Sequence, residues 1–134
     1  MLRGTGGVWG DCEVGEVRSH RDLIVWQKSM DLVVLIYGLA ESFPQTELYR
    51  LTSQITRAVV SVPGNIAEGN GRSSRKEYAH FLSIAKGSLM ETETYVFLAV
   101  RLGYVSQEQT IESLNLITEI SKMLTKLRTR LIVP

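Results

Sequence analysis

One cysteine, two histidines and three prolines are all that 134 residues supply of the side chains that most often staple, ligate or break a small fold. Cys12 has no second thiol to pair with, so neither an intramolecular disulfide framework nor a cysteine-based zinc site is open to the chain. A reducing, cytoplasmic setting is the expectation. No stretch reaches the roughly 18 consecutive apolar residues of a membrane-spanning helix, and the opening "MLRGTGGVWGDCEVGEV" has no continuous apolar segment of the signal-peptide kind. The chain reads as soluble, not exported, and without a membrane partner. Charge of one sign is not in excess either, with 15 basic against 14 acidic residues. Any affinity for a polyanion has to come from local clustering.

What the chain does have is enough length for one domain, which at this size buries roughly two thirds of its extended surface without disulfides or metals. The first residues do not contribute to it. Five glycines in residues 1–15, with no helical or alternating period, bury too little to offset the entropy of ordering. Residues 1–19 are expected to form a flexible leader, and residues 20–134 the folded domain.

From about Asp22 the apolar spacing is helical. Trp26, Met30, Val33, Tyr37 and Ala40 recur at intervals of 4, 3, 4 and 3, with Val34, Ile36 and Leu39 widening the stripe. Pro44 disfavours helix in the residue before it, which predicts an end near Phe43. A second helix is expected from about Thr46 to Asn70, with Leu48, Leu51, Ile55, Ala58, Val62 and Ile66 on one face. Pro63 falls inside that pattern, where it removes a backbone bond and crowds the carbonyl of Val59. Because "NIAEGN" carries the stripe on beyond it, a kink is expected there rather than a break. Gly69 or Gly71 would end the helix in the left-handed conformation.

Ser74 and Glu77, in capping-box spacing, open a third helix. Its stripe runs through Tyr78, Leu82, Ala85, Leu89, Thr92, Val96 and Ala99 until Gly103 stops it. Gly87 and Ser88 in its middle predict a closely packed neighbour. Ser106 and Gln109 repeat the box ahead of Ile117, Ile120, Leu124, Leu127 and Leu131. Four such segments with short joints predict an all-α, antiparallel up-down-up-down four-helix bundle with a proline-kinked second helix.

The densest chemistry lies in "VPGNIAEGNGRSSRKEY", residues 62–78. Its "GNGRSS" has the glycine content of a phosphate loop, but such a loop follows a strand, whereas this one follows a helix and lacks the P-loop lysine. Arg72, Arg75 and Lys76 sit at the joint and in the first turn of the third helix, where the helix dipole favours anions over cations. Lys122, Lys126, Arg128 and Arg130 end the fourth helix, with no acid after Glu119. In an antiparallel bundle that end lies beside the start of the third helix, so the clusters would merge into one patch for nucleic-acid phosphates. A solvated joint and a dipole-stabilised helix end are the plainer alternatives.

Catalysis finds no support. Glu77 and His80 form one copy of a Glu-x-x-His spacing that two-metal bundles use twice, and the other histidine is His20. Glu91 and Glu93 are two residues apart and point in different directions; with Glu68 they are candidates to pair with Arg57. A serine or threonine nucleophile would have only His80 as a base. No catalytic residue, metal or cofactor is assigned.

A resemblance adds to these readings. "VWQKSMDLV" (25–33), "FP" (43–44), "LTSQITRAVVSVPGNIAEGNGRSSRKEY" (51–78), "FLSIAKGS" (81–88), "ETET" (91–94) and "RLGYV" (101–105) together look like the four-helix bundle family of 23S rRNA intervening sequence proteins. The chain also resembles the accessory protein of diversity-generating retroelements. The resemblance implies a non-enzymatic bacterial homopentamer with a basic surface for RNA or DNA and a protein partner such as a reverse transcriptase. It touches Pro63, Asn65, Glu68, Gly69, Gly71, Arg72, Ser74, Lys76 and Glu77, and departs at Thr92, where members of the resembled family usually carry leucine. A threonine there can bond back to a helix carbonyl and keep the fold. Two functions follow as expectations: phosphate binding through the two basic clusters, or a protein-interaction scaffold or accessory subunit whose basic residues pair with acids on a neighbouring subunit or a protein partner, without contacting nucleic acid.

Overall fold

The structure is a computed structural model that describes residues 19–133. The expected leader, Ser19 excepted, lies outside them. A 3-10 turn at His20–Asp22 leads into α1 (Ile24–Ala40), and a second at Gln45–Glu47 precedes α2 (Leu51–Asn70). The longest helices, α3 (Arg75–Arg101) and α4 (Gln107–Ile132), follow, and no strand occurs among the described residues. The fold is all-α, with four helices. Each packs on two others, α1 and α3 both lying against α2 and α4, and the ring they form closes on Ile55, Ile66, Leu82, Leu89, Ile117, Ile120 and Leu124, all fully buried.

The face that the first helix buries is turned from the one its spacing suggests: of the expected stripe Ile36 is fully buried, and Trp26, Val33, Leu39 and Ala40 pack partly buried against the core. Val25, Ser29, Leu32 and Ile36 face the core, while Met30, Val34 and Tyr37 are 43%, 72% and 49% exposed. α1 is apolar nearly all round, so two stripes one residue apart fit its sequence about equally well, and only the neighbouring helices choose between them.

The next joint also differs. α1 stops at Ala40, short of the expected Phe43, and α2 begins at Leu51 rather than Thr46, which leaves Leu48 exposed. Glu47 supplies the reason. One carboxylate oxygen accepts the Leu51 N–H at 3.1 Å and so caps α2, while the other accepts the Tyr104 hydroxyl at 2.8 Å. These two donors, the Leu51 amide first, hold the Glu47 carboxyl below its ordinary range, and the same carboxylate pushes the Tyr104 phenol up. Phe43, buried against the Tyr104 ring at 5.7 Å, completes the corner.

α2 continues without a break through the buried Pro63, and Leu51, Ile55, Ala58, Val62 and Ile66 lie on its inner face as the spacing predicts. Neither glycine at its end is left-handed: Gly103 alone among the described residues has a positive φ, +79°. There the Tyr104 N–H bonds to the Ala99 carbonyl and the Gly103 N–H to that of Val100, the paired bonds of a Schellman motif. Gly69 is buried for another reason. A Cβ built on it would lie 2.9 Å from Phe81 Cβ and 3.2 Å from the Tyr78 carbonyl, so glycine lets α2 approach α3.

Gly87 has no such neighbour, since a Cβ there would meet nothing within 4 Å. The close packing expected at that level belongs to Ser88, which is buried and donates to Ser61 Oγ at 2.9 Å, while Asn65 donates to the Ser61 carbonyl and hydroxyl at 2.8 Å. Thr92 is buried one turn on and returns its hydroxyl to the Ser88 carbonyl at 2.9 Å, which satisfies it without a partner helix. Ser74 accepts the Glu77 N–H, one half of a capping box, whereas Ser106 and Gln109 form the complete box.

Candidate nucleic-acid interface

The two basic clusters meet through Arg75. Its Nε donates to the Leu131 carbonyl at 3.2 Å and its Nη2 to the Arg130 carbonyl at 2.7 Å. This answers why a cation sits in the first turn of α3: its partner is the negative end of α4, whose last carbonyls have no intrahelical donors. Arg75 is thus a cross-helix cap. Replacing it with methionine is expected to lower unfolding free energy by about 1 kcal/mol, read from urea melts, because exposed charge-assisted bonds at a helix end are of that order.

The other six candidates divide. Arg72 is held by Glu68 one turn back, with N···O 2.6 Å, and its guanidinium lies over the Phe81 ring at 4.9 Å. Arg128 donates through Nε to Ser83 Oγ at 2.7 Å, across the α3–α4 seam. Lys76, Lys122, Lys126 and Arg130 are exposed, and their side chains make no hydrogen bond or ion pair among the described residues. Lys122, Lys126 and Arg130 stand four residues apart along the outer face of α4, a free cationic stripe more than one turn long.

Sequence reasoning missed Lys86. Its ammonium donates to Thr125 Oγ1 at 2.7 Å, one α3 turn from the Arg128–Ser83 contact. A signal was present, because residues 78–90 contain no carboxylate and neither does anything after Glu119. These two acid-free stretches face each other across the seam.

Elsewhere the expected pairs rearrange. Arg57 donates to Ser53 Oγ at 3.3 Å instead of pairing with Glu68, Glu91 or Glu93, and Glu68 is taken by Arg72. The exposed His80 sits edge-on to Phe81, with centroids 5.7 Å apart. Among the described residues no three His, Cys, Asp or Glu side chains converge, and no helix is long and apolar enough to cross a membrane. At the end of α3 distant from the basic cluster, a groove of about 790 Å³ opens between α3 and α4, walled by Phe97, Leu98, Ile111 and Leu114.

The pattern of the family described as 23S rRNA-intervening sequence protein matches residues 21–126, most of the chain. The chain belongs to this family. Among solved structures, this intervening sequence protein is similar to a protein of unknown function from the S23 ribosomal protein family of Bacteroides thetaiotaomicron. The two share 30% identity over 78% of this chain and 98% of the other, with a TM-score of 0.73. No curated protein matches. The match to the intervening sequence family ends at Lys126, so Arg128 and Arg130 stand beyond it. Within "PGNIAEGNGRSS", the residues that carry the resemblance have structural partners here: Asn65 bonds to Ser61, Glu68 to Arg72, Gly69 admits α3 and Ser74 caps it.

Proposed function

We propose that this intervening sequence protein is a non-enzymatic, cytoplasmic, homo-oligomeric module that binds the phosphate backbone of RNA or DNA. The observation that carries the reading is the stripe of Lys122, Lys126 and Arg130, three exposed cations without hydrogen-bond or ion-pair partners among the described residues, on a stretch that has no acid after Glu119. Lys76 adds to it from α3. Arg75 and Arg72 support it by fixing the joint rather than by offering free charge. Such a surface reads backbone charge and shape, since phosphate contacts position a protein without identifying bases.

Self-association draws on other residues. Met30, Val34 and Tyr37 form an exposed apolar face on α1, and Phe97, Leu98 and Ile111 form another around the α3–α4 groove. A pentamer, as the resemblance implies, would cover these faces and repeat the cationic stripe around a ring, which raises avidity for a long polyanion.

Fluorescence anisotropy with structured RNA, duplex DNA and single-stranded DNA across a salt series tests this function, with light scattering on the same samples. The expected log-log slope for duplex is about −3 or steeper, from roughly 0.9 per phosphate neutralised. Absence of binding at low salt, with the oligomer intact, would leave a protein-interaction scaffold in its place.

A further inference from the structure

We infer that the cleft between α3 and α4 beside this stripe is a seat for one phosphodiester group. The inference rests on the nucleic-acid reading above and adds to it a defined subsite. The cleft has a volume of about 330 Å³ and is lined by Ser83, Lys86, Gly87, Thr125 and Arg128 over a floor that includes the buried Leu82. Two rungs cross it, Arg128 Nε to Ser83 Oγ and Lys86 Nζ to Thr125 Oγ1, both 2.7 Å.

Each cation is therefore held by a neutral hydroxyl. Its position is restrained while no carboxylate among the described residues pairs with its charge, unlike that of Arg72 on Glu68. The rungs are three residues apart on both helices, about 4.5 Å at helical rise, so an ammonium from one helix and a guanidinium from the other can bracket a single phosphate. The remaining donors are sufficient: after these bonds Lys86 keeps two N–H groups and Arg128 four. Gly87 leaves the wall open, as a Cβ there would meet nothing within 4 Å, and the cleft exceeds what one phosphate fills, leaving room for the adjoining sugar.

The test labels glycine amides, because Gly87 reports on the cleft and Gly71 on the joint. Oligomeric protein carrying ¹⁵N-glycine is titrated with sodium phosphate at ionic strength held constant with chloride, and separately with a 20-nucleotide RNA. The Gly87 signal is expected to shift saturably with phosphate and to move in the same direction with RNA. Lys86→Met together with Arg128→Met should abolish the shift and reduce the RNA salt slope by about 1. Lys86→Arg should retain both, which separates lost charge from lost folding.

A shift at Gly71 alone, or a linear drift at Gly87, overturns the seat. So does an unchanged salt slope in the double variant, an outcome that leaves the outer stripe and the nucleic-acid function standing. Saturation by phosphate without RNA binding overturns the phosphodiester assignment together with that function, and reduces the cleft to a free-anion site.

Discussion

Gly69→Leu is expected to destabilise the bundle by about 3 kcal/mol and to lower its melting temperature by about 10 °C, for a domain of this size. The first added carbon already falls 2.9 Å from Phe81 Cβ and 3.2 Å from the Tyr78 carbonyl. Phe81 Cβ sits at the root of its side chain and the carbonyl is backbone of α3, so neither can swing aside without moving the helix. Gly69→Ala sets two effects against each other: helix propensity favours alanine by about 1 kcal/mol, and the close approach costs about 1–3 kcal/mol. A net loss is expected. Gly87→Ala provides the control, because it brings the same propensity gain with no atom within 4 Å, and it should raise the melting temperature. Thermal melts of the three variants check the comparison; equal effects of alanine at both positions would mean that α2 and α3 do not meet at Gly69.

The largest functional effect is expected from Lys122→Ala, Lys126→Ala and Arg130→Ala combined. Each cation that neutralises a duplex phosphate contributes about 0.9 log unit of affinity per decade of salt below 1 M. Three of them amount to about 500-fold weaker binding near 0.1 M, with the salt slope shallower by about 2.7. Folding should change little. The three side chains have no hydrogen-bond or ion-pair partner among the described residues, Arg130 serves Arg75 through its backbone carbonyl, and lost cations near a helix C-terminus cost a few tenths of a kcal/mol each. Anisotropy and urea melts on the same preparation separate the outcomes: dissociation of the oligomer by this triple change would place the stripe in a subunit interface.

Much of the fold was legible because the signals that make it are local. The Ser106–Gln109 box, the Ser74 cap, the Gly103 stop and the buried stripe from Leu51 to Ile66 depend on residues within a turn or two of each other, so spacing alone reports them. The face of α1 was not, since a helix apolar on nearly every side carries no phase information. The start of α2 was missed for a related reason: Glu47 caps it only with help from Tyr104, 57 residues away.

The candidate site divides along the same line. The acid-free stretch after Glu119 and the four-residue spacing of Lys122, Lys126 and Arg130 could be read directly, because charge and helical period are properties of the chain itself. Which cations are free could not. Arg75 is spent on the carbonyls of α4 and Arg72 on Glu68 and Phe81, whereas Arg128, held by the neutral Ser83 hydroxyl, keeps its charge, and Lys86 enters the site from a helix where no cluster marked it. By itself the sequence determined four helices, the caps of α3 and α4, and where positive charge is concentrated. Only the packing of α3 against α4 decided which of those charges remain available, because a side chain's partners depend on what lies across the seam, and that is set by distances no one-dimensional spacing contains.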